Sequence, residues 1–267
     1  MPFLLLLEQN PLLFFSILLF GLIIFFELGV RIGRNRRKEI GEGSDEGATL
    51  VVGSVLGLLA FVLALNLSNA SSRQENRMHS GLDEVNAIGT ALMQAQAVGG
   101  DESGPIVAHL KKYLELRYRY IRAEPHSPEI AITTDESNQL QNEIWALLEK
   151  RVSENPTPAV TSLMNALNNA FDATTALRLM MEYRIPMQLI WLLLLMSLLG
   201  SGTVGYQFGL TGRKGRLPAI MLTVLWCTVV TAIIDIGSGR IWTFRTDARV
   251  YEWALDGYGI PRPPVAE

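Results

Sequence analysis

GATLVVGSVLGLLAFVLALNL, residues 47–67, carries no charged side chain. At about 1.5 Å per residue it makes about 30 Å of helix, the thickness of a bilayer's hydrocarbon core. Comparable apolar stretches run roughly from Pro11 to Val30, Pro186 to Gly205 and Pro218 to Ile236. Between the second and third lies a long polar segment. The expected fold is all-α, with four transmembrane helices arranged as two hairpins and a helical polar insert between the second and third. The expected divisions are 1–69 for the first hairpin, 70–185 for the insert, 186–237 for the second hairpin and 238–267 for a polar C-terminal tail.

Of the 267 residues, 49% are hydrophobic, and these are concentrated in four blocks and not spread at amphipathic spacing, which a soluble core would require. The net charge of -3 gives no reason to expect a nucleic-acid partner. Cys227 is the one cysteine, so neither an intrachain disulfide nor a cysteine-based zinc site is expected. The N-terminal apolar run is expected to be a retained helix and not a cleaved signal. Only Glu8 is charged before it, and Arg31, Arg34, Arg36, Arg37 and Lys38 follow it. Asn10 and Pro11 suit a helix start, a capping side chain followed by proline at the first helical position.

Short loops rich in Lys and Arg stay cytoplasmic, so those five basic residues place the N-terminus outside. By counting spans, the insert and the C-terminal tail are then extracytoplasmic, and the Arg213, Lys214, Arg216 loop is cytoplasmic. The expected location is the inner (plasma) membrane, with the lipid bilayer as the main partner.

Inside the insert the spacing is helical throughout. Leu82, Val85, Ile88, Gly89 and Leu92 form one face of a helix that continues from the second span, and Gly99 and Gly100 end it. A second helix after Pro105 presents Ile106, Leu110, Tyr113, Leu114 and Ile121, with Glu115 placed to pair with Arg119. Thr133 and Glu136 have capping-box spacing ahead of a third helix. The last helix carries a near-heptad seam of Val160, Leu163, Leu167, Phe171, Thr174 and Met181.

No constellation supports an enzyme, a cofactor or a metal. Gly200, Gly202 and Gly205 mimic a dinucleotide fingerprint, but they follow no strand and read as close helix contact. His79, His109 and His126 lack metal-ligand spacing. Gly53, Gly57, Ala60 and Ala64 place small side chains along one face of the second span, suited to helix packing within the chain or between copies of a homo-oligomer. Glu27 and Arg31 have ion-pair spacing near the interface. Thr228, Thr231 and Asp235 form a polar stripe on the fourth span and are the candidate ion pathway, with Arg240 available to neutralise Asp235.

The run Gly57, Leu58, Leu59, Ala60, Phe61 and the block Glu84, Val85, Asn86, Ala87, Ile88, Gly89, Thr90, Ala91 resemble the bestrophin-like domain family of uncharacterised bacterial membrane proteins. Within that block the motif residues are Glu84, Asn86, Gly89 and Thr90. The pattern continues through Tyr113, Arg117, Gln141, Asn142, Trp145, Leu167, Asn168, Asp172, Arg178, Arg184, Pro186, Asp235 and Gly239, and so covers most of the chain from Gly47 onward. Ile236, Gly237 and Ser238 stand where that family usually has aspartate, arginine and proline. The resemblance implies an oligomeric channel, since bestrophins are pentameric anion channels with four spans per subunit. It also implies a cytoplasmic insert, opposite to the orientation that the basic residues after the first span favour. Two function classes follow: an ion-conducting oligomer, and a non-transporting sensor, scaffold or assembly factor acting through the insert.

Overall fold

A computed structural model describes residues 10–40, 46–99, 103–182, 186–212, 217–240 and 245–264. Arg184, Arg213, Lys214 and Arg216, on which part of the charge reading rests, lie outside the described residues, as do Glu8 and Gly100. The described chain is helical: α1 (Pro11–Ile40), α2 (Glu46–Val98), α3 (Ser103–Arg122), α4 (Pro128–Glu154), α5 (Pro158–Glu182), α6 (Met187–Thr211), α7 (Leu217–Ser238) and α8 (Arg249–Gly257). Four helices are long and apolar enough to cross a membrane, and the all-α expectation holds. The chain forms two compact units, Met1–Ser72 with Arg184–Phe244, and Arg73–Tyr183 with Arg245–Glu267.

In the first unit α1 starts as its sequence dictates. Asn10 Oδ1 accepts from the Leu12 and Leu13 amides at 3.0 and 3.2 Å, satisfying donors that a helix start leaves open. Lipid supplies no hydrophobic drive between helices, so close packing must hold them together. Here α1 and α6 both carry glycines four apart, Gly29 with Gly33 and Gly205 with Gly209. A methyl on Gly29 would run into the Gly202 carbonyl, one on Gly33 into the Tyr206 carbonyl, one on Gly205 into the Phe26 carbonyl, and one on Gly209 into the Val30 carbonyl. The two backbones therefore touch. Phe14, Leu18, Leu22, Leu193, Leu194, Cys227, Val230 and Ile233 fill the remaining core. Its polar groups are satisfied locally: Trp226 Nε1 donates to Ser197 Oγ at 3.0 Å, and Ser201 Oγ donates across to the Leu22 carbonyl at 2.7 Å.

In the second unit most of the helical seams emerge as read. Ile106, Leu110, Tyr113, Leu114 and Ile121 are buried, as are Val160, Leu163, Leu167, Thr174 and Met181, with Phe171 half-buried. Leu82, expected on one face with Val85 and Ile88, is instead exposed. Two further local expectations fail. Ser127, not Thr133, caps α4, its side chain accepting from the Glu129 amide, while Thr133 sits a turn inside and donates to the Glu129 carbonyl at 2.6 Å. Pro128 at the first helical position explains the earlier start. Arg119 pairs with Glu129 at 2.7 Å, an ion pair between α3 and α4 in place of the expected partner Glu115. The tail is also not separate. Ala248, Tyr251 and Leu255 belong to the same buried core as α2 to α5.

Candidate functional site: a buried charge cluster and the tail seated on it

The centre of the second unit holds charge. Glu84 and Tyr251 are fully buried and Arg117 is 2% exposed. Arg117 Nε donates to Glu84 Oε1 at 2.6 Å, and the Tyr251 hydroxyl donates to Glu84 Oε2. The guanidinium also stacks on the Tyr120 ring at 4.3 Å, covering its apolar face with π density. Beside this triad, Gln141 Nε2 donates to the Tyr113 hydroxyl at 2.7 Å, which in turn donates to Thr174 Oγ1 at 2.8 Å.

Removing two ions from water costs several kcal/mol apiece, so such a pair persists only when geometry and added hydrogen bonds repay the loss. Tyr251 supplies one of those bonds. Burial first, and then the Glu84 carboxylate, push its phenol well above the usual value of 10.0, while Arg117 pulls the other way. Burial alone would lower Arg117; Glu84, Tyr251 and Tyr113 outweigh it and raise it. The arrangement is thus a carboxylate held between a guanidinium and a phenol that keeps its proton at neutral pH.

The tail reaches this cluster by seating two tyrosines on glycines of α2. Around Gly81 the nearest atoms to a would-be methyl belong to the Tyr251 ring and hydroxyl, at 3.8 Å. At Gly89 that methyl would lie 2.8 Å from the Tyr258 hydroxyl oxygen, too close to fit without movement. Outside these contacts, Lys111 Nζ donates to the Tyr258 carbonyl at 3.2 Å, and Arg245 pairs with Glu124 at 2.9 Å. Arg262 ties down the tail's own Asp256 at 2.6 Å and Glu252 at 3.2 Å.

This explains half of the resemblance block. Glu84 receives Tyr251 and Gly89 receives Tyr258, whereas Asn86 and Thr90 are exposed, Thr90 Oγ1 donating to the Asn86 carbonyl at 2.9 Å. Sequence reasoning missed the two tyrosines by treating 238–267 as a polar tail. The signal was there, because Ala248, Tyr251 and Leu255 recur at intervals of three and four, one face of a helix.

In the membrane unit the fourth-span stripe does not converge. Thr228 is exposed and donates to the Val224 carbonyl at 2.9 Å; Thr231 is half-buried and donates to the Cys227 carbonyl at 2.8 Å. Asp235 is buried. Both hydroxyls are thus spent on their own helix. Among the described residues the small-residue face is also unpaired: beyond their own helix nothing lies within 4 Å of a methyl at Gly53 or Gly57, and Ala60 and Ala64 are exposed. Close packing falls instead to Gly29, Gly33, Gly205 and Gly209, legible as a four-residue glycine spacing on both helices. A cleft lined by Leu22, Ser197, Ser201, Thr223 and Trp226 has a volume of about 20 Å³, room for one water.

No family model matches the chain, and no curated protein matches it. A crystal structure described as that of a membrane protein is similar in fold, with a TM-score of 0.62 at 13% identity, over 91% of this chain and 99% of that one. Together with the four apolar helices, this makes the chain an integral membrane protein.

Proposed function

We propose that the protein works as a homo-oligomer in the inner (plasma) membrane, with copies meeting along α2 and ions crossing between them. The observation that carries this reading is the unpartnered face of α2. From Gly47 to Ala70, among the described residues, burial is confined to Val52, Leu59 and Ala70, a thin seam on one side. Large apolar side chains such as Leu58, Phe61 and Leu65 are exposed on another side, as lipid contact requires. The third side is the small one, Gly53, Gly57, Ala60 and Ala64, a surface that suits another helix better than lipid.

In the second unit Met78 and Leu82 are 49% and 42% exposed. The resemblance to bestrophin-like proteins favours the same oligomeric arrangement. The basic residues Arg31 to Lys38, at the C-terminal end of α1, support an extracytoplasmic N-terminus and insert.

The alternative is a sensor or scaffold whose insert binds a different protein through Met78 and Leu82. Native mass spectrometry with flux assays in liposomes separates the two. Oligomer with flux supports the channel reading, and monomer without flux, co-purifying with a partner through the insert, supports the alternative.

A further inference from the structure

We propose that the C-terminal segment from Arg245 to Pro264 is a detachable strap, docking on and leaving α2 while the core of α2 to α5 stays folded. This goes beyond the proposed function and holds whether or not the protein conducts ions.

The strap's hold is narrow. Its helix α8 has 9 residues, too few to persist in water on its own, so it exists only when docked. Ala248, Tyr251 and Leu255 are its buried apolar contribution, whereas Ile88, Leu92, Leu110, Tyr113, Leu114, Ile144, Leu148, Leu163 and Leu167 form a core without it. The pair of Arg245 with Glu124 is exposed on both sides, the kind of contact that contributes little. Specificity comes from the seats. Gly81 and Gly89 lie inside a helix, where no turn demands glycine and alanine would favour the helix by about 1 kcal/mol. What Gly89 provides is space for the Tyr258 hydroxyl of the strap, whereas at Gly81 a methyl would meet Tyr251 only at ordinary contact distance, 3.8 Å.

Release is feasible because of what it leaves behind. Arg117 remains on Glu84, and water replaces the Tyr251 hydroxyl on the carboxylate. No buried charge is stranded. Docked, the strap seals the ion pair and presses two rings on α2; released, it exposes the pair that Glu84 of α2 makes with Arg117 of α3.

The test uses full-length protein in detergent in a Cys227→Ala background, with thiol labelling after Leu255→Cys or, as a core reference, Leu114→Cys. The thiol at 255 should react at least about tenfold faster than that at 114, as local opening requires. Adding Gly89→Ala should accelerate labelling at 255 and leave 114 unchanged. Tyr258→Phe, which deletes the one atom closer than 3 Å to the new methyl, should reverse that acceleration. Should Leu255→Cys fail to fold, hydrogen exchange of the wild-type chain serves instead, with α8 amides expected to exchange ahead of those of α3. Equal rates at 255 and 114, matching exchange in α8 and α3, or no response to Gly89→Ala would overturn the strap.

Discussion

The phenol of Tyr251 donates its proton to the carboxylate of Glu84, 167 positions earlier in the chain, and both groups are fully buried. This bond joins the end of the sequence to the helix that begins at Glu46, and it completes the coordination of a charge that has no access to water. Removing the phenolic oxygen and removing the cation should therefore have different consequences.

Tyr251→Phe keeps the ring on Gly81 and deletes one hydrogen bond to a charged acceptor, which should cost about 1.5–3 kcal/mol. Arg117→Met leaves the buried Glu84 carboxylate without its cation, a change that costs about 3–5 kcal/mol. Thermal unfolding of the two variants should rank them in that order. The ranking fails if the methionine variant is as stable as wild type, in which case the buried pair contributes no net stability.

The raised pKa of Tyr251 sets a pH dependence. Its folded value lies above the unfolded value of 10.0, so its contribution is complete below that pH and is lost as pH rises toward and through the folded value. Glu84, Arg117 and Tyr113 face the phenol throughout. Arg77, lowered to about 10 by burial and by Arg73, changes with the opposite sign, since losing its proton relieves a buried cation. That effect is common to wild type and Tyr251→Phe and cancels in their difference. Hydrogen exchange in α8 should accelerate above about pH 10 in wild type beyond the intrinsic chemical rate, and less so in the phenylalanine variant.

The membrane spans were legible in the sequence because a bilayer imposes one demand, about 20 apolar residues in a row, on each helix separately. The insert's seams were legible for a similar reason, since Val160, Leu163 and Leu167 recur at helical spacing whatever they touch. Long-range pairings were not. Nothing local to Tyr251 names Glu84 as its acceptor, and nothing local to Gly53 says that its face is left empty while Gly29 meets Gly202. Short-range rules misled where several partners were within reach: Arg119 has Glu115 one turn away, yet a carboxylate on the neighbouring helix holds it.

Orientation is checked by labelling. Ser103→Cys in a Cys227→Ala background should react with an impermeant maleimide in intact cells if the insert is extracytoplasmic. Protection until lysis would reverse the orientation and agree with the cytoplasmic insert that the bestrophin-like resemblance implies.

Two glycine substitutions distinguish packing within the chain from packing between copies. At Gly205 even a methyl meets the Phe26 backbone, which has no flexible side chain to move aside. Gly205→Ala should therefore loosen α1 from α6 at a cost of about 1–3 kcal/mol or more, seen as lower thermal stability of the solubilised subunit at any oligomeric state. At Gly57, among the described residues, no atom beyond its own helical neighbours lies within 4 Å of an added methyl. Gly57→Leu should leave the stability of the isolated subunit close to wild type, because no contact in the chain opposes the added side chain and leucine favours a helix over glycine by nearly 1 kcal/mol. If copies meet along α2, the same change should shift native mass toward monomer and abolish flux. An unchanged particle with Gly57→Leu would mean that this side of the helix faces lipid, and the oligomeric reading would have to move to another surface.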